Sequence, residues 1–187
     1  MPIHAERLAI PDILLLQPSI HRDERGFLFE TFRRSELAQL GITCDFVQEN
    51  HSYSESRGVV RGLHFQIPPH PQAKLVRCIK GSILDVAVDI RSASSTFGQH
   101  VSQVLSADNK AQMWIPVGFA HGFCALERNT EVVYKISDYY SPAYERGVSF
   151  DDPDLSIEWP VSRGEMTLST KDQALTRLAA IKRHELF

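Results

Sequence analysis

The sequence predicts an all-β fold, a compact antiparallel β-barrel or jelly roll with a few short helices. Three observations predict it. From Ile83 to Ile90, Leu84, Val86, Val88 and Ile90 alternate with Ile83, Asp85, Ala87 and Asp89, a period of two. Similar short runs recur along the chain, punctuated by Gly, Pro, Asn or Ser clusters at the spacing of sandwiches and barrels. Helix signals are confined to two short stretches.

In chain order, Ile13–Leu16 reads as an N-terminal strand run that would be an exposed hydrophobic edge if nothing covered it. A strand is expected at Phe27–Phe32, then a helix at Ser35–Leu40 with Ser35 as its N-cap and Gly41 as its stop. Val59–Gln66, Lys74–Ile79, Ile83–Ile90, Val101–Leu105, Gln112–Ile115 and Glu131–Ser137 read as further strands. A second helix is expected within Gln173–Lys182, in a helical tail covering about 173–187. No repeat, low-complexity tract or linker interrupts the chain, so 1–187 reads as one domain.

With 187 residues, of which 43% are hydrophobic and 23% charged, the chain can bury a full core without a metal or disulfide staple. Its formal net charge of -3 gives no footprint for nucleic acid, so an anionic ligand must be held by a local cluster of cations. Cys44, Cys78 and Cys124 are odd in number and lack the short spacings of a zinc site, which fits a reducing, cytoplasmic compartment. The Ile13–Leu16 run is too short for a signal peptide and follows Pro11 and Asp12; no apolar run is long enough to span a membrane.

Alternation also places candidate side chains. Val60, Gly62, His64 and Gln66 share one strand face, as do Lys74, Val76 and Cys78, and Val132, Tyr134 and Ile136. A small barrel whose interior takes one face of each strand could bring His64, Lys74 and Tyr134 together. Strict alternation separates Arg61 from His64. A bulge at the strand-interior Gly62 would put both on one face.

Pro116-Val117-Gly118-Phe119-Ala120-His121 resembles the second motif of the cupin superfamily, whose His is commonly a metal ligand. The first cupin motif would need a His-x-His pair and a following Glu, and here the stretch is His64-Phe65-Gln66 followed by Ile67-Pro68-Pro69. His64 and His121 lack an obvious third ligand, so the sequence favours a metal-free, cofactor-free site in which imidazoles are available for acid–base work.

Several stretches together carry a more specific resemblance. They are Asp23-x-Arg25-Gly26-Phe27-x-x-Glu30, Gln48-x-Asn50-x-Ser52, Gly58-Val59-Val60-Arg61-Gly62-Leu63-His64 and Gln72-x-Lys74-Leu75-Val76. Asp85-Val86-Ala87-Val88-Asp89-x-Arg91, Pro116 to Phe123, Asp151-Asp152-Pro153, Trp159-Pro160 and Leu168-Ser169-x-Lys171-Asp172 follow in order. From about Asp23 to Asp172 the chain resembles the dTDP-4-dehydrorhamnose 3,5-epimerase family, metal-free cupin-fold enzymes of deoxysugar biosynthesis.

The resemblance implies roles. His64 would be the general base, oriented by Asp172, with Tyr134 the acid on the opposite face of the sugar and Lys74 stabilising an oxyanion at carbon 4. Arg25, Arg61 and Lys171 would hold the diphosphate and adjoining groups. Glu30, Gln48, Asn50, His121 and Glu145 would complete the nucleotide and sugar contacts, and Tyr140 would stack on the base. A homodimer is implied, in which Arg25 and Glu30 reach the neighbouring site. Taken singly, each residue has a plainer reading: Tyr134 as core, Arg25 and Arg61 as solvated charge, Lys171-Asp172 as a helix start. Three rivals remain at this point: a single-centre epimerase on a related nucleotide keto sugar, a non-catalytic sugar-nucleotide binder, and a metal-dependent cupin oxygenase or isomerase.

Overall fold

The structure is a computed structural model that describes residues 3–187. Its strands are β1 (Ile3–Arg7), β2 (Leu14–Pro18), β3 (His21–Asp23), β4 (Gly26–Leu28), β5 (Gln48–Ser54), β6 (Val60–Gln66) and β7 (Lys74–Lys80). They continue as β8 (Ser82–Asp89), β9 (His100–Ser106), β10 (Gln112–Ile115), β11 (Phe119–Ala125), β12 (Thr130–Ile136) and β13 (Glu145–Gly147), with helices α1 (Arg34–Gln39) and α2 (Thr170–Gln173). Two antiparallel sheets form, in the orders β1-β2-β10-β7-β12-β5 and β13-β6-β11-β8-β9, and β3-β4 is a separate hairpin. One apolar cluster joins them, with Val76, Cys78, Met113 and Val132 from the first sheet and Ile83, Ala87, Leu105, Phe119 and Phe123 from the second. This is the antiparallel jelly roll that the alternation predicts, in the cupin-like form that the resemblance implies.

The second sheet is covered on its outer face as well. Leu63, Phe65, Val86, Val88 and Ala120 pack there against Val148, Leu155 and Leu178 from the segment after β13. Central strands β8 and β11 are therefore buried on both faces, and Asp85 and Asp89 are fully buried rather than solvent-facing. Gln48–Ser54 and Phe119–Ala125 are strands the hydrophobic pattern does not announce, the first because it is polar apart from Tyr53, the second because, His121 aside, it is apolar or small on both faces.

Other expectations are corrected. Ile13–Leu16 is not an exposed edge: β2 lies between β1 and β10, and Ile13, Leu14 and Leu16 are buried. Of Phe27–Phe32 only Phe27 and Leu28 are strand, in β4, which ends a short hairpin whose turn is closed by Asp23 Oδ1 accepting from the Arg25 N–H. Ser35 is not the N-cap. The helix begins at Arg34 after Arg33, because burial of Leu37 against Leu14, Leu16 and Trp114 sets its position. The tail does not form a helix within Gln173–Lys182. After α2 ends at Gln173 it has only two short 3₁₀ turns, at Leu178–Ala180 and Arg183–Glu185. Its backbone bonds outward instead, Thr176 pairing with Val148 and the Leu178 N–H donating to Asp152 Oδ2.

The bulge in β6 is present. His121 pairs with His64 and Phe123 with Arg61, so Gly62 and Leu63 together face Gly122. Gly62 has φ +114, and a Cβ there would sit 2.6 Å from the Gly122 Cα; one on Gly122 would sit 2.6 Å from the Arg61 carbonyl oxygen. Only glycine allows this crossing. The bulge also moves Val60 to the outer face, where it packs on Cys124 and Phe150, so Val60 and His64 do not share a face.

Candidate active site

Residues of both sheets line a cavity of about 240 Å³. Arg61 and His64 enter it from β6 and His121 and Phe123 from β11, while Lys74 on β7 and Tyr134 on β12 enter from the other sheet. Ser169, Lys171 and Asp172 close it from α2 and its N-cap. His64 and Tyr134 thus address one space from opposing walls.

His64 Nε2 lies 2.6 Å from Asp172 Oδ1, and the pair is largely withdrawn from water. Burial pushes the Asp172 carboxyl upward, but hydrogen bonds from His64 and Ser169 outweigh it and hold the group below the usual carboxylate range. Asp172 accepts the His64 Nε2–H and leaves Nδ1 as the nitrogen able to take a proton. Lys74 is 7% exposed and donates to the His64 carbonyl oxygen at 3.1 Å. Burial pushes its ammonium down to about 8, against the opposing pull of Asp85 and Glu145. The Tyr134 hydroxyl is held above its ordinary range by burial, partly offset by its hydrogen bond with Asn50 and by the Arg61 charge. A phenol so placed keeps its proton at neutral pH and can deliver it.

Around the mouth, Glu145 links Lys171 Nζ and the Tyr140 hydroxyl, which donates at 2.6 Å. Burial raises the Glu145 carboxyl, and these two bonds reverse the shift to a net lowering. Gln48 donates to Asn50 and accepts from the backbone N–H of Tyr140, whose ring is exposed. Arg61 is fixed by its bond to the Tyr53 carbonyl. Arg25 and Glu30 are not brought to this cavity: Arg25, 85% exposed, pairs with Asp23 on the β3–β4 hairpin, and Glu30 pairs with Arg33.

In the sequence Asp85 figures only as the start of the Asp85–Arg91 stretch, with no site role, yet it lies directly behind a cavity-lining residue. It accepts from His121 Nε2 at 2.7 Å, deep in the cavity wall. Its signal is a carboxylate on the inner face of the most regular strand, two residues before Ala87. Both cavity imidazoles are thus engaged by aspartates. Among the described residues no group of three or more His, Cys, Asp or Glu side chains could hold a metal ion. Among them, too, no helix is long and apolar enough to cross a membrane.

The comparisons with known proteins point the same way as the geometry. The family model of dTDP-4-dehydrorhamnose 3,5-epimerase matches residues 7–180. An enzyme of that name from Shigella flexneri is 51% identical over 164 residues, 87% of this chain and 89% of the relative. Another from Escherichia coli K12 is 47% identical over 181 residues, 96% of this chain and 97% of the relative. The crystal structure of a Legionella pneumophila dTDP-6-deoxy-D-glucose-3,5-epimerase, in complex with dTDP-4-keto-L-rhamnose, superposes with a TM-score of 0.94. It is 44% identical and covers 98% of this chain and 97% of that one. A cavity with an opposed imidazole and phenol, on a fold and sequence shared this fully, places the chain in one group of isomerases: it belongs to the dTDP-4-dehydrorhamnose 3,5-epimerase family.

Proposed function

We propose that this epimerase inverts carbons 3 and 5 of dTDP-4-keto-6-deoxyglucose to give dTDP-4-keto-rhamnose, without a metal or other cofactor, in the cytoplasm. The reading rests on the opposition of His64 and Tyr134 across the cavity. A ketone at carbon 4 acidifies the protons on carbons 3 and 5, because the carbanion formed is an enolate. Inversion needs a proton taken from one face and returned to the other. His64 takes it, with Asp172 fixing its tautomer. Lys74 faces the oxygen on which charge develops, usually the larger part of the rate acceleration. Tyr134 returns a proton from the opposite wall.

Each inversion leaves His64 protonated and Tyr134 ionised, so both exchange protons with solvent before the second centre reacts. Arg61 and Lys171 supply the cations that a diphosphate needs on a chain of net charge -3. Gln48, Asn50, His121 and Glu145 complete the sugar and nucleotide contacts, and Tyr140 offers an exposed ring for the base. Incubation with dTDP-4-keto-6-deoxyglucose in deuterated water is expected to place label at both carbons, each with inverted configuration. Inversion and label at one carbon alone would identify a single-centre epimerase, and absence of both would mean a binding protein.

The working unit in this reading is a homodimer, in which Arg25 and Glu30 reach the partner's cavity. The exposed Phe27 and Leu28 on the hairpin and the open edges of β1 and β5 are compatible with it. Sedimentation at working concentration should give twice the 21.2 kDa chain mass. A fully active monomer would overturn it.

A further inference from the structure

Asp85 is fully buried, and a carboxylate removed from water needs partners. One oxygen accepts from His121 Nε2; among the described residues the other, Oδ2, has no hydrogen-bond partner. The unpartnered oxygen sits in a neighbourhood whose buried cation is Lys74, with which Asp85 interacts favourably through space. Lys74 in turn spends one of its three N–H donors on the His64 carbonyl. Two buried groups that the sugar's oxygens would meet, Lys74 and His121, therefore share Asp85 as a common neighbour.

We propose that Asp85 is a positioning residue of the epimerisation centre. It fixes His121 as the Nε2–H tautomer, whose Nδ1 accepts from a sugar hydroxyl, and it keeps Lys74 charged as the donor to the carbon-4 oxygen. Asp85 thus makes one wall residue an acceptor and the other a cationic donor, a pattern suited to a hydroxy ketone. This deepens the epimerase reading and rests on it.

Electrostatics agree with the geometry. Burial lowers the proton affinity of His121 despite the opposing pull of Asp85, and the Lys74 and His64 charges lower it further, so the ring stays neutral. The titratable and charged groups facing this pair are Arg61 and His64 on β6, Asp85 on β8, Tyr134 on β12, Glu145 on β13, and Lys171 and Asp172 on α2. Of these, the influences that keep Lys74 protonated are Asp85 first and Glu145 second.

Lys74 acts as a cation, so activity is retained below its pKa and lost as pH rises through about 8. Asp85→Asn keeps the shape and removes the charge, so the alkaline limb of kcat/KM should move to lower pH. A shift of about one unit, the low end for a close opposite charge, makes the variant's deficit about tenfold larger at about pH 10 than at about pH 6. A merely structural residue would lower the rate equally at every pH. Ring-nitrogen NMR of wild-type enzyme with isotope-labelled histidine should show His121 neutral and protonated on Nε2 across the active range; this holds even if the variant does not fold. A variant limb unmoved or moved upward, or His121 protonated on Nδ1, overturns the proposal. Failure of the wild type to epimerise the keto sugar would instead overturn the functional reading and leave the tautomer measurement standing.

Discussion

Replacing His64 by Ala is expected to abolish both solvent-deuterium incorporation and epimerisation. The other imidazole lining the cavity, His121, is no substitute, because burial lowers its proton affinity. Without a base no carbanion forms, so exchange and inversion fall together, by roughly 10²–10⁴-fold at the scale of a lost acid–base group. The measurement is the rate of label entry at carbons 3 and 5, followed beside the rate of product formation. Normal exchange in this variant would remove His64 from the role of base.

Tyr134→Phe should separate the two rates. His64, Asp172 and Lys74 remain in place, so the enolate still forms. The imidazolium can return a solvent-derived proton to the face it came from. Label then enters with the original configuration retained, while inversion drops by roughly 10²–10⁴-fold. The separation depends on the two side chains standing on different sheets, His64 on β6 and Tyr134 on β12. Loss of exchange and inversion in equal proportion would show that Tyr134 takes part in proton removal, and the division of roles would be wrong.

How far the sequence disclosed this arrangement depended on which physical term dominated locally. Alternation placed Lys74 and Val76 on one inward face and Val132 and Tyr134 on another, because those strands have one face on the core. Gly62 disclosed the bulge that unites Arg61 with His64. Asp85 was hidden because alternation cannot tell a solvent face from a second buried one, and the tail covering the outer face of β8 is remote in sequence. The helical reading of that tail failed for a related reason: its backbone groups are claimed by Val148 and Asp152 rather than by one another. Ser35 was a sound capping residue overruled by the packing of Leu37. Arg25 and Glu30 entered by family resemblance alone, and nothing in one chain brings them to the cavity.

The Gly62–Gly122 crossing sets stability and activity against each other at one point of the ladder. A regular β6–β11 register would recover the pairing that the bulge interrupts, and would also rotate either His64 or Arg61 out of the cavity. Selection for a more regular barrel and selection for this cavity lining therefore pull the Arg61–His64 stretch in opposite directions. Improvement of the scaffold by engineering has to be sought elsewhere in the sheets, in strands whose side chains do not line the cavity.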